Sequence, residues 1–121
     1  MPRHIRLILL GLLVSNVLLA AGCSGGASAP AAPLAVKEIS VTVIGGHITP
    51  PAGRIDVAKG QTVRITVRSD VNDVVHVHGF EVSAALMPDK PATVEFVADK
   101  TGLYDVEAHV TNLRLMQLAV A

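Results

Sequence analysis

The residues best suited to chemistry are His76-Val77-His78-Gly79. On a β-strand, residues two apart project from the same face, so both imidazoles can approach one ion. Neutral imidazole is a good ligand for copper(II), zinc and nickel. Further along, Glu107 and His109 share strand parity in the same way, and Glu107 offers an oxygen donor. His47 follows Gly45-Gly46 in a glycine-rich loop and stands apart from the others. A histidine pair without a third ligand binds only weakly. The same pair can equally be a polar couple facing solvent, with no ligand at all, and Glu107 can be a solvated strand residue. Asp70 and Asp73 read as residues that shape a turn. The one thiol, Cys23, lies far upstream, directly behind Leu18-Leu19-Ala20-Ala21-Gly22, so the segment that carries the histidines has no thiolate.

Other chemistries find no support. There is no Gly-x-Ser-x-Gly, no phosphate-cradling glycine loop and no Cys-x-x-Cys. Ser69, Ser83 and Thr111 lack the flanking pattern of an activated nucleophile. The expectation is a protein that is not an enzyme.

The histidines sit in a chain whose apolar residues alternate with a period of two. Ile39, Val41 and Val43 alternate with Glu38, Ser40 and Thr42, and Val63, Ile65 and Val67 alternate with Arg64, Thr66 and Arg68. The pattern recurs around Ile55 and Val57, Val75 and Val77, Val94 and Phe96, and Tyr104 to Ala108, and it ends with Met116, Leu118 and Val120. Such alternation marks strands with one buried and one wet face, as in antiparallel sheets. Gly45-Gly46, Pro50-Pro51, Lys59-Gly60, Ser69-Asp70, Pro88-Asp89 and Lys100-Thr101-Gly102 separate the runs as turns. About seven short strands and no amphipathic helix predict an all-β sandwich.

The first 22 residues have another character. Arg3 and Arg6 precede an apolar run from Leu7 to Ala20, closed by Ala20, Ala21 and Gly22. This is the charged, apolar and small-residue order of an export signal, and the run is short for a membrane span. With Cys23 the stretch resembles the lipobox of bacterial lipoproteins, departing from it at Ala20, where leucine is usual. The resemblance implies cleavage before Cys23 and lipidation (palmitate) of that cysteine. The chain then divides into a cleaved signal peptide (1–22), a flexible Ser/Gly/Ala/Pro-rich tether (23–36) and a folded domain (37–121). The expected location is the cell envelope, lipid-anchored and facing the periplasm or the cell exterior. Loss of Arg3 and Arg6 leaves 8 Lys+Arg against 10 Asp+Glu, a net charge of −2. With only Phe80, Phe96 and Tyr104 as aromatics, this argues against a nucleic-acid partner. No disulfide can form within the monomer, so packing alone must supply stability.

The order of features from Lys37 to Ala121 resembles the cupredoxins. Ile55-Asp56-Val57-Ala58-Lys59-Gly60-Gln61-Thr62-Val63 is similar to their strand–Lys-Gly–strand hairpin. Asp73-Val74-Val75-His76 resembles the strand that delivers the first copper histidine, and Phe96 to Tyr104 the penultimate hairpin. The resemblance implies a Greek-key β-sandwich. It also implies that the strand carrying His76 and the loop after Tyr104 meet at one end, which makes His109 a third ligand. Met116 falls where the family has an axial methionine, although it also fits the inward alternation with Leu118 and Val120. In that family the thiolate would stand about where this chain has Ala108, so a blue-copper centre is excluded. His-x-His-Gly is also similar to the motif of multicopper oxidases, whose cluster needs many more histidines than this chain has. Two functions follow as expectations. One is binding of copper, or alternatively zinc, by His76, His78, His109 and Met116. The other is a metal-free interaction module of the envelope, with an unidentified protein partner.

Overall fold

A computed structural model describes residues 25–26 and 30–121, so Cys23 and the export signal lie outside the described residues. Nine strands follow in order: β1 (Lys37–Ile44), β2 (His47–Thr49), β3 (Arg54–Val57), β4 (Thr62–Ser69), β5 (Asp73–Val77), β6 (Val82–Leu86), β7 (Ala92–Val97), β8 (Gly102–Ala108) and β9 (Leu113–Val120). They form a four-stranded sheet, β2-β1-β4-β7, and a five-stranded sheet, β3-β9-β8-β5-β6. There is no helix among the described residues, and the architecture is the expected all-β sandwich.

Two details correct the expectation. The strands number nine, because β2 and β6 join the seven read from the sequence. β2 has three residues around a single Ile48, which is too short for a period to show. In β6, Val82-Ser83-Ala84-Ala85-Leu86, alanine on both faces hides the alternation. His47 therefore lies in a strand, opposite Ile44, and not in a loop. The sheets are also mixed: β1 pairs in parallel with β4, and β3 in parallel with β9. The chain leaves β2 through Pro50-Pro51, where proline can neither donate to the ladder nor extend it. It then adds β3 to the edge of the other sheet, and such crossings between sheets permit parallel neighbours.

The core is built by the inward residues of both sheets. Val63, Ile65 and Val67 of β4 face Val75 and Val77 of β5, Val106 and Ala108 of β8, and Leu115, Met116, Leu118 and Val120 of β9, all buried in one cluster. Phe96 is its one aromatic; Phe80 stacks on Phe96 with centroids 4.7 Å apart, and Tyr104 meets Phe80 edge-on at 4.7 Å. No buried side-chain polar atom lacks a partner among the described residues.

One irregularity matters for the site. Val106 pairs with Met116 but Glu107 pairs with Arg114, so Leu115 is an extra residue in β9. This β-bulge shifts the parity of the strand. Leu115 and Met116 are consecutive and both buried, while Arg114 and Gln117 flank the five-stranded sheet's outer side. Met116, expected among the ligands, packs in the core at 2% exposure.

Candidate metal centre

β5 alternates strictly. Val75 and Val77 are fully buried, and the half-buried Val74, His76 and His78 fall on the other parity, the outer face of the five-stranded sheet. The valines are what orient the histidines: turning the imidazoles inward would expose both valines, at a cost of about 1.5–3 kcal/mol each. The two rings touch, with centroids 4.5 Å apart and planes at 61°.

Each ring is engaged by a carboxylate. His78 Nε2 lies 3.0 Å from Glu107 Oε2, and His76 Nε2 lies 3.2 Å from Glu81 Oε2. Carboxylates only accept, so the ring nitrogen donates in each pair, which leaves Nδ1 as the lone-pair nitrogen of a neutral ring. Glu107 reaches His78 because β8 runs antiparallel to β5 and places Glu107 directly opposite His76. Glu81 arrives from the turn between β5 and β6. Its backbone is left-handed, with φ 53°, and its amide donates to the Val77 carbonyl at 3.1 Å. Its Oε1 accepts the Gly79 amide at 3.2 Å.

Gly79 has a double reason to be glycine. Its φ is +82°, and a Cβ there would lie 2.3 Å from Cδ1 of Tyr104. The Tyr104 ring therefore packs directly on the turn backbone, and its hydroxyl donates to the Thr101 carbonyl at 2.9 Å. Lys100 Nζ donates to the Gly79 carbonyl at 2.8 Å and lies 5.4 Å from the centre of the Phe80 ring. The turn behind His78 is thus held from several sides.

His109 follows β8 and donates its amide to the Val74 carbonyl at 2.8 Å. With Val74, His76 and Ser83 it lines a shallow depression on the same outer face. Its loop is anchored by Asp73, a buried carboxylate at the start of β5. Asp73 accepts from Thr111 Oγ1 (2.6 Å) and from the amides of Val74 (2.7 Å), Val110 (2.8 Å) and Thr111 (3.2 Å). Burial by itself would raise the Asp73 pKa. The hydrogen bonds from the Thr111 hydroxyl and the three amides outweigh it and hold the carboxyl below its usual range.

Of the sequence candidates, the fold brings His76 and His78 into contact and sets His109 beside His76, while Met116 is in the core and His47 is on β2 of the other sheet. In the arrangement seen, no three His, Cys, Asp or Glu side chains among the described residues already converge to hold one ion. Ala108 is buried, paired with Val75 and Leu113, so the position where the family would carry its thiolate is a core methyl group. A thiolate-type copper centre therefore does not fit. The donors that do reach the outer face are imidazole and carboxylate, a set suited to copper(II) or zinc. Sequence reading missed Glu81, whose turn carries no periodic signal, and the anchoring role of Asp73.

The fold is shared with copper proteins of known structure. A copper binding protein solved by NMR in its apo form is similar at TM-score 0.58 and 22% identity, over 75% of this chain and 93% of that one. The multicopper oxidase mgLAC is similar at TM-score 0.57 and 18% identity, over 71% of this chain and 39% of the oxidase. Fet3p, a multicopper oxidase that functions in iron import, is similar at TM-score 0.58 and 17% identity, over 71% and 23% respectively. The chain thus spans less than half the length of either oxidase. No family model and no curated protein matches the chain by sequence. At these identities the likeness is one of fold: the domain is cupredoxin-like.

Proposed function

We propose that this chain is a lipid-anchored envelope protein whose cupredoxin-like domain binds copper, or alternatively zinc, through histidines on the outer face of its five-stranded sheet, without catalysing a reaction. The observation that carries the reading is the contact between the His76 and His78 rings, 4.5 Å apart on one solvent-reached face, with His109 lining the same depression as His76. A copper-binding protein of the same fold and nearly the same extent supports copper as the metal. Reversible ligation by neutral imidazole suits buffering, sensing or delivery.

Anchoring rests on Cys23 and the export signal before it. The test is incorporation of labelled palmitate into the expressed chain, expected to disappear in Cys23→Ser. For the metal, the full chain in detergent is titrated calorimetrically with copper(II) and zinc beside a His76→Ala/His78→Ala variant. Stoichiometric binding that the variant loses is the expected result. Absence of binding by the unaltered chain overturns the reading. The alternative, a metal-free interaction module, is favoured by the carboxylate bond each ring already makes.

A further inference from the structure

We infer that the metal site is a mixed imidazole–carboxylate site, in which Glu81 and Glu107 join His76 and His78, and that it takes copper in its divalent form in preference to cuprous copper. This rests on the metal-binding reading above and adds to it the ligand set and the oxidation state.

The first argument is distance. Neighbouring donors around a metal with bonds of about 2.0–2.2 Å lie roughly 2.8–3.4 Å apart. The His78–Glu107 and His76–Glu81 separations, 3.0 and 3.2 Å, are edges of that size. In the other neutral tautomer, with the proton on Nδ1, Nε2 offers its lone pair toward the carboxylate, and a cation can sit where the hydrogen-bonded proton was. The two rings that carry these edges are in contact, with centroids 4.5 Å apart.

The second argument is placement. A non-glycine residue at φ 53° adopts a backbone that side chains rarely accept, and it persists only when its surroundings hold it there. Here the Glu81 amide on Val77 and the Gly79 amide on Oε1 hold it, and the outcome is a second carboxylate oxygen aimed at His76. Glu107 is fixed by strand register opposite His76, with only 28% of its side chain exposed, while the Glu81 side chain is 75% exposed and the less confined of the two. One ion shared by both pairs requires the Glu81 side chain to leave the Gly79 amide and turn toward His78.

The third argument is charge and softness. Two carboxylates balance a divalent cation and leave a monovalent one with an excess negative charge. Cuprous copper favours thiolate and thioether, and among the described residues no sulfur lies beside the histidines. Met116 is in the core. Met87 follows Leu86, which is opposite Asp73 at the far end of β5 from His78. Among divalent ions, copper(II) binds such nitrogen and oxygen sites more tightly than zinc.

The test uses the full chain in detergent with cupric sulfate, and with cuprous ion kept reduced by ascorbate, each in competition with a chelator specific for that oxidation state. Expected are one bound copper(II) and a preference over copper(I) of at least about a hundredfold. Glu81→Gln and Glu107→Gln should each lower copper(II) affinity about 10–100-fold and leave copper(I) affinity and thermal unfolding unchanged. Paramagnetic resonance of the copper(II) form should show mixed nitrogen and oxygen coordination that both variants alter. If copper binds but the Gln variants bind as the unaltered chain does, or if copper(I) is preferred, this inference is overturned and the metal-binding reading stands. If neither ion binds, both fall.

Discussion

The outer faces of the two sheets arise from the same period-two alternation and differ in what completes them. On the four-stranded sheet, Arg64 of β4 lies between Glu38 of β1 and Glu95 of β7 and bonds both, and Thr66 bonds Thr93 across the same strands. One guanidinium satisfies two carboxylates, and their charge in turn raises the Arg64 pKa, with the Glu95 hydrogen bond as the largest cause. A guanidinium does not give up its proton in a protein, so these two carboxylates are paired with a permanent cation. On the five-stranded sheet, Arg54 bonds Gln117 and Gln117 bonds Asp105, a similarly closed row toward one edge. Beside it, however, the carboxylates of Glu107 and Glu81 are met by imidazoles, which can exchange a proton for a cation. An ion-paired face becomes a candidate site when a group able to lose its proton takes the place of a permanent cation.

That contrast can be broken most severely from beneath. Gly79→Ala drives a methyl into the Tyr104 ring at a positive φ and should destabilise the domain by about 2–4 kcal/mol, read as a lower midpoint in urea. Asp73→Ala should follow with about 2–3 kcal/mol, because it removes an acceptor of four hydrogen bonds and leaves buried amides unpaired. It should also loosen the loop carrying His109, read by faster amide exchange at Val110 and Thr111.

The same carboxylate sets an acid limb. Its pKa is lowered in the folded state, so its stabilisation is complete above the ordinary aspartate range and is lost as pH falls through the lowered value. Asp73→Asn should flatten that limb in a plot of stability against pH below about 4.

Smaller effects sharpen the comparison. His76→Ala/His78→Ala touches only half-buried side chains of the outer face and should move stability by less than about 1 kcal/mol while abolishing metal binding. Arg64→Ala, on the other sheet, should give only a slight loss that salt conceals, with metal affinity unchanged. A loss of metal affinity in Arg64→Ala would show that the two faces are not independent.

Much of the fold was legible from alternation alone, since β1, β4 and β7 each carry three inward apolar residues of strict period and β5 carries two. β2 and β6 were not, because three residues or a run of alanines hold no pattern. The β9 parity was readable only beyond the bulge: Met116, Leu118 and Val120 follow it, whereas Leu115 joins the core through an extra residue that no local signal announces. Parallel pairing of β1 with β4 depends on the path of the chain between sheets, which strand patterns do not encode.

For the candidate site, the sequence by itself determined that His76 and His78 share a face, that the domain has no thiolate, and that Ala108 cannot serve as a ligand. Those conclusions follow from composition and from the two-residue repeat of a strand, which are local properties. Only the tertiary structure decided the partners. Glu107 reaches His78 through the register of β8 against β5, Glu81 reaches His76 through a left-handed turn residue, and Asp73 holds the His109 loop across 38 residues of chain. Contacts between distant segments are set by packing of the whole sandwich, because each carboxylate finds its ring only after buried valines and a bulge have fixed which way the strands face.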